Sequence, residues 1–90
     1  MNNKMRKEIK FMLEDEIFLY NENVKKYNHF KDIDPVSFDA AANSVSKYLH
    51  SLSTLLRTVN LCDSMYDYSL KFESCDFYSV CTLNVKKVEG

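Results

Sequence analysis

The apolar positions of this chain change period along its length, and the changes divide it into four segments. From residue 3 to residue 28, Met5, Ile9, Met12, Leu13, Ile17, Tyr20, Val24 and Tyr27 recur at spacings of three and four. At 100° per residue they fall on one stripe of a helix. Asn3 is the predicted N-cap, and no Gly or Pro interrupts the run. The stretch "HFKDIDPVS" breaks the pattern, and Asp34 followed by Pro35 is an N-cap residue with proline at the first helical position. A second helix is predicted from 35 to 61, with Phe38, Ala41, Ala42, Val45, Tyr48, Leu49, Leu52, Leu55, Leu56 and Val59 on one face. Each helix is about 40 Å long at about 1.5 Å per residue. The connection between them is short, so they pair as an antiparallel hairpin.

After "LCDSM" the period becomes two. In "YDYSLKFE", Tyr66, Tyr68, Leu70 and Phe72 share one parity, which predicts a half-buried strand at about 66–73. In "FYSVCTLNV", Phe77, Cys81, Leu83 and Val85 share the parity of a second strand at about 77–86. The two form a β-hairpin around "SCD". A two-residue turn at Cys75 and Asp76 pairs Leu70 with Cys81, whereas a four-residue turn pairs Leu70 with Leu83. Without Gly or Asn-Gly the tight primed turn is disfavoured. The predicted fold is therefore α+β, a single domain over residues 1–90, with an antiparallel helical hairpin followed by a C-terminal two-stranded β-hairpin (ααββ).

Composition fits one small folded domain. Ninety residues bury about 60 to 65% of their unfolded surface, so the core is modest. A hydrophobic fraction of 46%, with 13% aromatic, excludes a disordered chain. A single Gly excludes the Gly-rich loops that cradle phosphates. Twelve basic and thirteen acidic residues leave a net charge of -1 and no global field toward nucleic acid or anionic membrane. Cys62, Cys75 and Cys81 are odd in number and lack C-x-x-C spacing, and the start "MNNKMRKEIKFML" has no signal-like apolar run. A reduced, cytoplasmic protein is expected. No window approaches the roughly 18 apolar residues of a membrane span.

The candidate chemistry is sparse. Asp39, Asn43, His50 and Arg57 share the polar side of the second helix, the residue types of a small nuclease-type toxin, but nothing in the sequence orients the histidine. His29 complements a helix C-terminus. Cys62, Cys75, Cys81 and His50 lack the paired spacing of a zinc site, and Glu14, Asp15 and Glu16 point in different directions as helical neighbours. No catalytic residue, metal or cofactor is expected. For nucleic acid the best case is Lys4, Arg6, Lys7 and Lys10, supported by Lys25, Lys26, Lys86 and Lys87 and interrupted by Glu8, Glu14, Asp15 and Glu16. Tyr66, Tyr68 and Tyr78 are of the type that stacks on bases, though two of them fall on the predicted core face.

The strongest signal is Phe11 and Phe18, seven apart and opposite the main stripe, among Lys7, Glu14 and Lys25. Two large rings on a charged helix side are covered either by an unidentified protein partner or by the chain's own hairpin. The favoured reading is a non-enzymatic intracellular binding protein, an inhibitor or adaptor of phage or mobile-element type that occludes a protein surface. A nucleic-acid-binding regulator is the alternative. Each helical stripe is also wider than one neighbour and a small sheet would cover, which predicts a homodimer. The two routes are four packed helices or edge pairing along strand two, whose outward side is read as Tyr78, Val80 and Thr82.

Overall fold

A computed structural model describes residues 1–74 and 78–88, and it has the predicted ααββ order: α1 (Asn3–Phe30), α2 (Pro35–Cys62), β1 (Tyr66–Phe72) and β2 (Cys81–Lys87). Two packed antiparallel helices form one layer and the antiparallel hairpin the other, with α1 along β2 and α2 along β1. Asn2 rather than Asn3 caps α1, its Oδ1 accepting from the Met5 N–H at 2.8 Å. Asp34 caps α2 as predicted, accepting from the Val36 N–H at 3.1 Å and the Ser37 hydroxyl at 2.7 Å. Those bonds hold its carboxyl below the usual range, with the Ser37 hydroxyl the main cause.

The hairpin takes the register of the longer turn. Leu70 pairs with Leu83, and Phe72 with Cys81. Residues 75–77, which include the predicted turn at Cys75 and Asp76 and the predicted strand position Phe77, lie outside the described residues. β2 starts at Cys81, later than the predicted 77. Tyr78 and Val80 therefore precede the strand and turn into the body of the protein. The Tyr78 ring meets Tyr27 edge-on at 5.0 Å, and Val80 packs against the core. Ser79 between them is buried, and its carbonyl accepts from the Tyr20 hydroxyl at 2.8 Å. This corrects the reading of Tyr78, Val80 and Thr82 as one outward side: of the three, only Thr82 is exposed.

The core lies between the layers. Ile17, Tyr20, Val24, Val45, Leu52 and Cys81 form one cluster, and Leu13, Val59 and Tyr68 a second. Met5 and Met12, expected in the same stripe, are 48% and 42% exposed. The sheet covers one side of the helix pair, and these methionines lie on the other, in a hollow shared with Ile9 and Leu55.

Candidate functional site

A two-stranded sheet has two open edges, and here each helix closes one edge at a single residue. The Glu73 N–H donates to the Val80 carbonyl at 3.0 Å and the Val88 N–H to the Met65 carbonyl at 2.8 Å. These bonds set the alternation of the ladder. Tyr66, Tyr68, Leu70 and Phe72 on β1, with Lys87, Val85, Leu83 and Cys81 opposite, consequently turn their N–H and C=O groups outward. On β1, Asn60 of α2 accepts from the Tyr68 N–H at 2.8 Å and donates to the Tyr68 carbonyl at 2.9 Å. On β2, Asn21 of α1 makes the same two bonds with Cys81, both at 2.9 Å. A carboxamide carries the donor and acceptor of a peptide group, so each asparagine stands in for one residue of a neighbouring strand. Among the described residues, nothing bonds the outward groups of Leu83, Val85 and Lys87.

Alongside that free edge runs the exposed flank of α1. Glu14, Ile17 and Phe18 face Cys81, Thr82 and Leu83 across a hollow of about 300 Å³. Arg6, Lys7 and Lys10 face Tyr66, Tyr68 and Val85 across a second, of about 170 Å³. Together they form a trough with α1 as one wall and the hairpin, chiefly β2, as the other. Phe18 is 59% exposed at its rim, and Phe11, two helical turns away, is 74% exposed. The hairpin does not cover either ring. The flank of α2 beside β1 is different in kind: at helical spacing from Asn60 it carries the exposed polar residues Arg57, Ser53 and Ser46.

The charges sort into committed and available. Arg6 Nε lies 3.0 Å and Nη2 3.2 Å from the two oxygens of Asp63, a bidentate pair joining the start of α1 to the end of α2. Asp63 also accepts from the Tyr68 hydroxyl at 2.8 Å and the Met65 N–H at 3.0 Å. The Arg6 guanidinium, first among these, holds the Asp63 carboxyl well below the usual carboxylate range, and the pairing raises Arg6 in turn. Arg6 Cζ also sits 5.0 Å from the Tyr66 ring centroid, a cation–π contact. Burial, with the bond to Asp63, pushes the Tyr68 phenol up to about 12. Lys25 pairs with Glu22 at 3.4 Å on the surface. Lys4, Lys7 and Lys10 are exposed and have no ion pair among the described residues. Lys87, opposite Tyr66, brings a further charge to the same end.

Of the residues singled out in the sequence, Lys7, Glu14 and Phe18 line the trough. Phe11 lies on the same flank, and Lys25 is farther along it in its own ion pair. Arg6 is spent on Asp63, which takes it out of the basic set Lys4, Arg6, Lys7 and Lys10 as a free cation. Lys87 belongs to the supporting basic set and Leu83 and Val85 to the predicted strand, whereas Asn21 has no role in the sequence reading. A mid-helix asparagine at the border of an apolar stripe is the available signal for Asn21, since asparagine is a poor helix former. No family model, curated protein or solved structure matches the chain. Asp39, Asn43, His50 and Arg57 are all exposed, and their side chains form no hydrogen bond among the described residues. Among those residues no group of three His, Cys, Asp or Glu is placed to hold a metal ion, and no helix is long and apolar enough to cross a membrane.

Proposed function

We propose that this chain is a non-enzymatic binding protein, of inhibitor or adaptor type, that occludes a surface of another protein with the α1 flank and the trough beside it. One observation carries the reading: two phenylalanines, 74% and 59% exposed, stand on the charged side of a long helix next to an unpaired strand edge. Large rings left in water are costly surface, and their burial by a partner contributes roughly 3 to 6 kcal/mol. Lys7, Glu14 and Lys25 are the polar surround.

The test is a double substitution. Phe11→Asp with Phe18→Asp removes exposed rings only, so the variant should keep the wild-type thermal midpoint to within a few degrees while losing its partner in a pull-down. Unfolding of the variant, or unimpaired capture, would sink the proposal. Leu52→Ala is the control. Leu52 is fully buried, and truncating it should cost about 2 to 5 kcal/mol of stability wherever the partner binds.

A second reading has its own observation. Lys7 and Lys10 share a hollow with Tyr66 and Tyr68, the pairing of cations and rings that single-stranded nucleic acid uses. Salt separates the two: phosphate contacts give an affinity that falls steeply with ionic strength, and an apolar surface gives a shallow dependence.

A further inference from the structure

The trough's two walls offer different chemistry, and together they define what fits between them. β2 presents the outward N–H and C=O groups of Leu83, Val85 and Lys87 at every second residue, beyond the point where Asn21 closes the edge at Cys81. An extended backbone carries matching groups at that repeat, whereas a helix bonds its own internally. α1 presents Phe18 beside Leu83 and Thr82, and Lys7 with Lys10 beside Val85. Those two lysines and Lys87 have no counter-charge among the described residues.

We infer that the trough takes an extended segment of another protein, added as a third strand along the outer edge of β2, with an Asp or Glu side chain at its Lys7–Lys10 end. This rests on the reading of the α1 flank as the working surface and names the form of the partner. The asymmetry of the two edges supports it. Asn60 splits the outward groups of β1 at Tyr68, and the α2 flank beside it carries serine and arginine, so the β2 side has the longer free run, three successive outward positions, beside two exposed rings and unpaired lysines. A second copy of the chain suits the site less: a two-fold axis at Asn84 would bring up Cys81, already held by Asn21, and an axis at Val85, which pairs Leu83 with Lys87, would set Lys7 and Lys10 of the two copies together without a counter-charge.

A displayed library of random octapeptides, selected against the full chain, provides the test. Enriched sequences should alternate apolar and polar residues and carry Asp or Glu near one end. In a synthetic copy of an enriched peptide, methylating one alternate set of backbone nitrogens should weaken binding by roughly tenfold or more, and methylating the other set should not. Lys7→Glu with Lys10→Glu should weaken the same peptide and remove its preference for the acidic end. Val85→Pro removes an outward N–H without touching the β1–β2 ladder, and should weaken binding similarly. The methylated peptides leave the protein unaltered, so they decide the matter even if that variant fails to fold. Enrichment of amphipathic helices, indifference to both methylations, or no enrichment at all would overturn the inference. If Phe11→Asp with Phe18→Asp abolishes binding of the selected peptides while methylation does nothing, the strand falls and the α1 surface stands. If neither matters, both fall.

Discussion

The asparagine clamps allow a sharp test of how this small sheet is held, because three of the asparagines on α1 and α2, Asn21, Asn23 and Asn60, bond in different roles. Asn60 satisfies both outward backbone groups of Tyr68, a residue only 4% exposed. Asn60→Ala removes two hydrogen bonds worth about 1 kcal/mol each and leaves a donor and an acceptor to find water at a partly covered edge, a total of about 2 to 4 kcal/mol. The gain in helix propensity from Asn to Ala returns about 0.6 kcal/mol. The net loss is then roughly 1.5 to 3.5 kcal/mol, a large share of the roughly 5 to 13 kcal/mol expected for ninety residues. With a urea slope of about 1 kcal/mol per molar, the midpoint should fall by roughly 1.5 to 3.5 M. Asn21→Ala should behave alike, since Cys81 is 1% exposed. Asn23 is the control: its amide bonds only the Leu19 carbonyl of its own helix, at 2.8 Å, so Asn23→Ala should be neutral or slightly stabilising. If Asn60→Ala and Asn23→Ala share a urea midpoint, the clamps do not hold the sheet.

Acid should reveal the Arg6–Asp63 pair. The Asp63 carboxyl is depressed in the folded state, so below about pH 4 the unfolded chain binds more protons; stability is present above that pH and lost as pH falls toward the folded value. The melting temperature of the wild type should drop between pH 5 and pH 2 more steeply than that of Asp63→Asn, and parallel curves would refute the assignment. At the alkaline end, burial pushes the Tyr20 and Tyr68 phenols up to about 12, so their contribution is present below pH 10 and lost as pH rises from there. Absorbance at the phenolate band should show the Tyr20 and Tyr68 phenols still protonated at pH 11 in the folded protein; their ionisation there without unfolding would contradict the packing. Self-association is proposed through the back of the helix pair, where Met5 and Met12 stand open. Sedimentation at micromolar concentration should give a dimer that Met5→Lys with Met12→Lys dissociates, and a clean 10.6 kDa species would reject it.

Element order, the Asp34–Pro35 start of α2 and the longer hairpin register were legible because each rests on local chemistry: period, cap and turn residues. The misplacements have local causes too. Asn2 and Asn3 are equal as caps on paper, and the extended backbone at Asn2, with its bond to Met5, decides between them. The alternation in "FYSVCTLNV" continues through residues that are not strand. Tyr78 and Val80 are drawn into the core, by Tyr27 and by the cluster around Tyr20, so their parity describes packing rather than pleat.

What the sequence did not yield is contact between distant segments. Arg6 and Asp63 lie 57 residues apart and Asn21 and Cys81 60 apart, and no periodicity links them. There was nonetheless a clue at Asp63, since an acid just past a helix C-terminus opposes the helix dipole and needs a cation. The exposure of Phe11 and Phe18 has a geometric cause of the same kind. Strands lie about 4.8 Å apart and packed helices about 10 Å apart, so two strands cannot span the outer flanks of two helices. Both flanks must be left bare. On α2 the bare flank is serine and arginine, as water requires; on α1 it is phenylalanine beside an unpaired edge. The two flanks face the same geometry with opposite chemistry, and that difference is why the added strand is proposed on the α1 side.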